Sequence, residues 1–193
     1  MGYALAEACA QAGAQVTLIS GPTEIKVPPK VDAIFVVSAV DMFERAMVVA
    51  ANADIFIGAA AVADHRPEKT ATEKLKKGSE GKIILTLLEN PDIVARVANM
   101  PDRPPLVVGF AAETEEVVRH ARAKRLQKGL DLIIANNVSN PDTTFGSDNN
   151  SVLVIGEDVE FGLPLASKRV IATQIVSIIA NSLIAKNTHR TQD

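Results

Sequence analysis

Apolar and polar positions in this chain switch repeatedly between a helical and an extended period. From Tyr3 to Gly13, YALAEACAQAG spaces its apolar residues as one helix face and stops on a glycine. AQVTLIS (14–20) reads as a buried strand closed by Gly21-Pro22. KVDAIFVVSA (30–39) is a second strand, and Asp41 opens the helix DMFERAMVVAANA. DIFIGAAA (54–61) is a third strand, followed by a charged stretch and then the strand KIILTLL (82–88). NPDIVARVANM is a short helix, with Asn90 as its N-cap and Pro91 at its first helical position. PLVVGFAA is a strand, TEEVVRHARAKRLQKG a helix and LDLIIANNV a strand. After the polar segment SNPDTTFGSDNN, a hairpin is expected over 151–164, and the chain closes on the helix SKRVIATQIVSIIANSLIAK.

Strands apolar on both faces, alternating with helices, predict an α/β fold: a three-layer, Rossmann-like arrangement with helices on both faces of a mostly parallel sheet. The late hairpin adds antiparallel strands at an edge. The whole chain, 1–193, reads as one domain. Ligands in such folds sit beyond the carboxyl ends of the strands. The residues after DIFIGAAA, KIILTLL, PLVVGF and LDLIIAN are therefore expected to share a crevice. A doubly wound domain normally opens on a strand and a glycine-rich turn, whereas this one opens on a helix. Met1-Gly2 resembles the tail of such a turn, and the domain is expected to be N-terminally incomplete.

Composition narrows the classes. The net charge of −3 provides no global basic field for nucleic acid. Cys9 is the single cysteine, so no internal disulfide can form, which suits a reducing compartment. No run approaches the ~18 apolar residues of a membrane span, and no signal core is present. The reading is a cytoplasmic protein without membrane or nucleic-acid partners.

Several stretches could carry chemistry, each with a plainer alternative. Asp64 to Lys82 holds six Lys or Arg, four Asp or Glu and one His, either as a solvated loop or as a lid over an anionic ligand. Within it Lys74, Lys76 and Lys77 form K-x-K-K. AAAVAD (59–64) offers small side chains that let a ligand approach the backbone, ending on Asp64; the alternative is tight packing with Asp64 as a loop cap. Helix starts bind anions, so NPDIV could hold a phosphate, or Asp92 could simply complement the helix dipole. Phe110 in GFAAET could stack on a base or belong to the core. Lys124 and Lys128 stand four residues apart on one helix face, as a phosphate clamp or a solvated face. No zinc-ligand spacing appears, metal ligands remain unassigned, and His65, His120 and His189 are scattered. The first helix and strand also admit an NAD(P)-binding oxidoreductase, although Ser20-Gly21 stand where an acidic residue would bind ribose.

In order and spacing, GAAAVADHRP, EKLKK, ENPDIV, VVGFAAET, AKRLQKGLDLIIANNV and FGSDNN resemble the bacterial phosphopantothenate–cysteine ligase family. That domain is the C-terminal half of a bifunctional coenzyme A biosynthesis protein whose other half is a flavin-dependent decarboxylase. The resemblance implies CTP- and Mg²⁺-dependent activation of 4′-phosphopantothenate as an acyl-cytidylate, then amide formation with cysteine. It implies a substrate site at Ala60 and Ala61 and nucleotide contacts from Asp64, Pro91, Asp92, Ile93, Val94, Phe110, Lys124 and Lys128. Lys74 would be the catalytic residue of a flap spanning 64–82. It further implies a homodimer. The family's strand and Ser/Gly turn, with an asparagine that touches the acyl intermediate, have no counterpart in this sequence. Little or no turnover is therefore expected of these 193 residues alone, and no FMN binding. A non-catalytic interaction relative is the remaining alternative.

Overall fold

The computed structural model describes residues 1–71, 73–74, 83–113, 115–137, 147–157 and 159–190. Helix α1 (Gly2–Gln11) leads into β1 (Val16–Ser20) through Gly13, whose φ of +92° suits glycine. Strand β2 (Val31–Phe35) pairs parallel with β1. Helix α2 (Ala39–Ala50) starts two residues before the expected Asp41. Ser38 is its N-cap and accepts from the Asp41 amide at 3.1 Å, while the Asp41 carboxylate accepts from the Ser38 amide at 3.0 Å. Asp41 thus completes a capping box rather than opening the helix. The Ser38 hydroxyl and amide bonds, against a smaller effect of burial, hold the Asp41 carboxyl below its ordinary value.

Strand β3 (Ile55–Gly58) is followed by two short strands, β4 (His65–Pro67) and β5 (Leu87–Glu89), and by α3 (Ile93–Ala98). Strand β6 (Leu106–Glu113), α4 (Val117–Lys128) and β7 (Leu132–Asn137) form a crossover unit. Strands β8 (Asn149–Ile155) and β9 (Glu160–Ser167) pair antiparallel where the hairpin was expected, and α5 (Lys168–Arg190) closes the chain. The central sheet runs β3-β6-β7-β8-β9, parallel across β3, β6 and β7 and antiparallel beyond.

Strand alternation sorts side chains onto two faces. Leu106, Val108, Leu132, Ile134, Val152 and Val154 face α1 and α5, whose Leu5, Ile171 and Ile175 cover them. Val107, Ala111, Ile133, Ala135 and Ile155 face α2, α3 and α4. The three-layer, mostly parallel architecture is therefore present. Helix α5 is long and apolar enough to cross a membrane by length and composition, although Thr173, Gln174, Ser177, Asn181 and Ser182 interrupt its apolar residues. Its Ile171, Ala172, Ile175 and Ile179 are buried in the core on the sheet.

Two expectations are corrected. The sheet is not continuous: β1 and β2 form a separate parallel pair, and among the described residues no strand bridges β1 to β3. Ladder bonds need edges about 4.8 Å apart; α1 and α2 pack on β1 without bringing its edge to β3. Nor does KIILTLL join the central sheet. Only its end is strand, as β5, paired antiparallel with β4 through His65↔Glu89 and Pro67↔Leu87. Ile83, Ile84 and Leu85 stand 68%, 94% and 65% exposed.

Gly58 and Gly109 face each other in register across β3 and β6. A methyl group at Gly58 would overlap Cγ2 of Val94, and one at Gly109 would meet Leu130 Cδ1 and Val94 Cγ1. This glycine pair lets α3 settle against the sheet. Val94 is β-branched and stiff at χ1, so it cannot swing aside. Gly58→Ala is expected to cost about 1–3 kcal/mol from overpacking. Adding Val94→Ala should recover most of that loss in a denaturant titration, and a non-recovering double variant would contradict the packing.

Candidate functional site

The segment after β3 and the residues that lead into α3 are joined at Asn90. Its side chain donates to the Ala63 carbonyl at 2.8 Å and accepts from Arg66 Nη1 at 3.0 Å. Arg66 also donates to the Glu89 carbonyl at 2.6 Å, and the Asn90 amide donates to the Asp64 carbonyl at 2.7 Å. AAAVAD is thereby tied to NPDIV, although the two lie far apart in sequence. Asn90 is not the N-cap of α3 as expected. Asp92 takes that role, accepting from the Ala95 amide at 3.0 Å. One of the helix-start amides is thus already used by the chain's own carboxylate. Ile93 is buried and Val94 packs beside it, so Pro91 to Val94 can offer a ligand mainly their backbone.

Helix α4 presents Lys124 and Lys128 one turn apart on one face. Lys128 Nζ lies 2.9 Å from the Asp92 carboxylate, and Lys124 Nζ lies 2.6 Å from Glu113, the last residue of β6. His120 Nδ1 stands 3.6 Å from the other Glu113 oxygen. Gly129, at φ +71°, ends the helix in the left-handed conformation, and its neighbours Arg125 and Lys128 carry positive charge in the last turn.

Burial pushes the Asp92 carboxyl up, but the Lys128 hydrogen bond, the Ala95 and Val94 amides and the Lys128 charge outweigh it. The carboxyl therefore titrates below its ordinary value of 3.8. A carboxylate with a lowered folded pKa stabilises the fold above its unfolded pKa and loses that contribution as pH falls through the folded one. Asp92→Asn should therefore melt about 2 °C below wild type at pH 6, as for a weakened exposed cap. The gap should close as pH falls below the carboxyl's ordinary value and through its lowered one. Scanning calorimetry at both pH values checks this, and a gap that widens on acidification would contradict it.

Not every candidate converges on α4. Phe110 is half-buried on the opposite face, packed with the α1 and α5 core near Met1 and Ala59. Ala60, Ala61 and Asp64 are exposed on the segment after β3, and Lys74 is exposed. Lys76, Lys77 and most of the second half of the 64–82 flap lie outside the described residues, as do Thr114 and much of SNPDTTFGSDNN. Burial pushes the Cys9 thiol up, away from nucleophilic use. Sequence reasoning took Phe110 from GFAAET and passed over Glu113. The available signal was a single acid ending an otherwise apolar strand.

The arrangement offers two ammonium groups, a helix start and small-residue backbone at the strand ends, a set suited to a polyphosphate. Among known proteins, the family described as DNA/pantothenate metabolism flavoprotein C-terminal domain matches residues 1–183. The chain is 46% identical over 91% of its length to the coenzyme A biosynthesis bifunctional protein CoaBC of Vibrio parahaemolyticus, covering 44% of that protein. It is 43% identical over 97% of its length to the Escherichia coli K12 protein of the same name, covering 47% of it. The chain thus spans about half the length of these curated relatives. Its structure is similar to the solved C-terminal domain of a CoaBC protein, with TM-score 0.77, 32% identity and coverage of 96% of this chain and 82% of the other. A mutant of Cab2, solved with phosphopantothenate-cysteine, shares the fold at TM-score 0.77 and 16% identity, over 98% of this chain and 79% of Cab2.

Proposed function

Because the chain belongs to the family of DNA/pantothenate metabolism flavoprotein C-terminal domains, we propose that it is a CTP-dependent phosphopantothenate–cysteine ligase of coenzyme A biosynthesis. One observation of the structure supports this most. Lys124 and Lys128, one helical turn apart, are each held by a carboxylate: Glu113 at the end of β6 and Asp92, the N-cap of α3. A site for a triphosphate needs such paired cations within reach of helix-start amides.

The proposed reaction has two steps. A carboxylate oxygen of 4′-phosphopantothenate attacks the α-phosphorus of CTP, the bond to the β-phosphate oxygen breaks, and pyrophosphate leaves. The cysteine amine then attacks the acyl carbonyl, the amide forms with loss of a proton, and CMP leaves. Both steps move negative charge through the same space, so fixed cations lower both barriers. Lys124 and Lys128 hold the phosphates. The backbone of Pro91, Asp92, Ile93 and Val94 lines the nucleotide, and Asp64 contacts it from the segment after β3. Ala60 and Ala61 leave room for the acyl group. Lys74 neutralises charge at the reacting phosphorus when its segment closes.

Mg²⁺ enters this scheme as part of the substrate. Among the described residues no three His, Cys, Asp or Glu side chains group into a metal site. That donor set suits a Mg²⁺ carried on the CTP phosphates, since this ion usually keeps waters and substrate oxygens as ligands.

A cytoplasmic homodimer completes the reading. The β4–β5 arm pairs chiefly with itself, and Ile83, Ile84, Leu85 and Leu87 on it are exposed. A contiguous apolar strip of this kind marks a contact surface, and an isolated two-stranded arm is marginal alone. Sedimentation of the protein as a monomer at micromolar concentration would remove the dimer from the proposal.

Thermal-shift titration tests the function. CTP with Mg²⁺ at 100 times its Kd is expected to stabilise the fold by about 2.7 kcal/mol, whereas NAD and NADP should leave the melting curve in place. Stabilisation by the dinucleotides and not by CTP would favour the oxidoreductase alternative instead.

A further inference from the structure

Glu113 is the only buried charged side chain among the described residues, at 8% exposure. A buried carboxylate is unfavourable unless it is paired, and one retained at a strand end has a use there or a cost without return. Its two partners both come from α4: Lys124 at 2.6 Å and His120 at 3.6 Å, one helical turn apart. The Lys124 side chain is itself 44% exposed, so the ammonium keeps access to solvent while one of its donors is taken. An ammonium has three N–H donors, and Glu113 engages one. The four-carbon lysine stem otherwise carries considerable rotamer freedom, which a ligand would have to freeze on binding.

We propose that Glu113 is a positioning residue. It anchors the Lys124 ammonium at the carboxyl end of β6 so that the remaining donors are already aimed when a nucleotide triphosphate arrives. This rests on the reading of Lys124 as a nucleotide contact. The negative charge of Glu113 also opposes the phosphates, but Glu113 is buried while Lys124 is 44% exposed, so an incoming ligand meets the cation first. Lys128 has the parallel arrangement with Asp92, whose carboxylate instead caps α3.

Two measurements decide it. In the first, wild type and Glu113→Gln are treated with a small amine-acylating reagent, and Lys124 modification is followed by peptide mass spectrometry. Lys124 is expected to react at least about threefold faster in the variant, its tether being gone. In the second, the Kd for CTP with Mg²⁺ is expected to rise about threefold to tenfold in Glu113→Gln. In a Lys124→Met background the same substitution should change Kd less than about twofold, because a positioning residue acts only through the group it positions. A purely structural role predicts equal losses in both backgrounds. Equal Lys124 labelling rates, or an undiminished effect in the Lys124→Met background, would overturn the proposal. If wild type binds no CTP, the functional reading fails, while the labelling arm still decides whether Glu113 holds Lys124. Glu113→Asp, which keeps the charge but withdraws it by one methylene, replaces Glu113→Gln if that variant does not fold, with the same expectations.

Discussion

Lys74→Gln is expected to lower the rate of acyl-cytidylate formation by about 10²–10³-fold, with the melting temperature unchanged within about 1 °C. The two halves of this expectation have separate grounds. Among the described residues Lys74 makes no ion pair, and it is exposed on a stretch outside any helix or strand. Its removal therefore costs the fold little. In the proposed reaction it meets charge that exists only at the reacting phosphorus, so its loss falls on the transition state more than on substrate binding. Rapid-quench measurement of the acyl-cytidylate in the intact polypeptide, with CTP saturating, reads the step directly. A rate within tenfold of wild type would remove Lys74 from the chemistry.

Asp131→Ala should produce the largest loss of stability, about 2–4 kcal/mol, or roughly 5–12 °C in melting temperature. Asp131 stands between α4 and β7 with its side chain only 13% exposed. Its carboxylate receives Arg103, Lys186 of α5 and the Val107 amide of β6, the last at 2.6 Å. Lys186 also donates to the Pro105 carbonyl at 3.0 Å. One acid thus joins the last helix to the loop before β6 and to the sheet. Truncation strands two cations and an amide that cannot rejoin water without opening the packing. The cations are partly exposed, which keeps the estimate below that of a fully buried pair. Asp131→Asn, which keeps an acceptor for the amide, should lose about half as much. A chemical denaturation series compares the two, and a loss under about 1 kcal/mol for Asp131→Ala would contradict the account.

Much of the architecture was legible because it follows from local period. The alternation in PLVVGFAA and LDLIIAN sends Val107 and Ile133 to one helix layer and Val108 and Ile134 to the other, as a two-residue repeat requires. The helix ends after Gln11 and Lys128 were legible for a local reason too: a glycine at positive φ stands two residues past Gln11 and directly after Lys128. KIILTLL misled because an apolar run has no period of its own. Such a run reads equally as a buried parallel strand or as an exposed arm.

The site divided along the same line. Lys124 and Lys128 share a helix face by their spacing alone, so the sequence by itself established that they lie on one side. It also established the strand–helix alternation, the two faces of the sheet and the family. Which carboxylate meets each lysine was decided only by tertiary structure. Glu113 reaches Lys124 because β6 and α4 pack side by side, and Asp92 reaches Lys128 because the Gly58–Gly109 pair admits α3 close to the sheet. The tether from Asn90 to Ala63 and the Asp131 cluster likewise join residues 24 or more positions apart. Local preferences act over a few residues, whereas these bonds depend on how whole elements dock, and docking is set by the shape of the packed core.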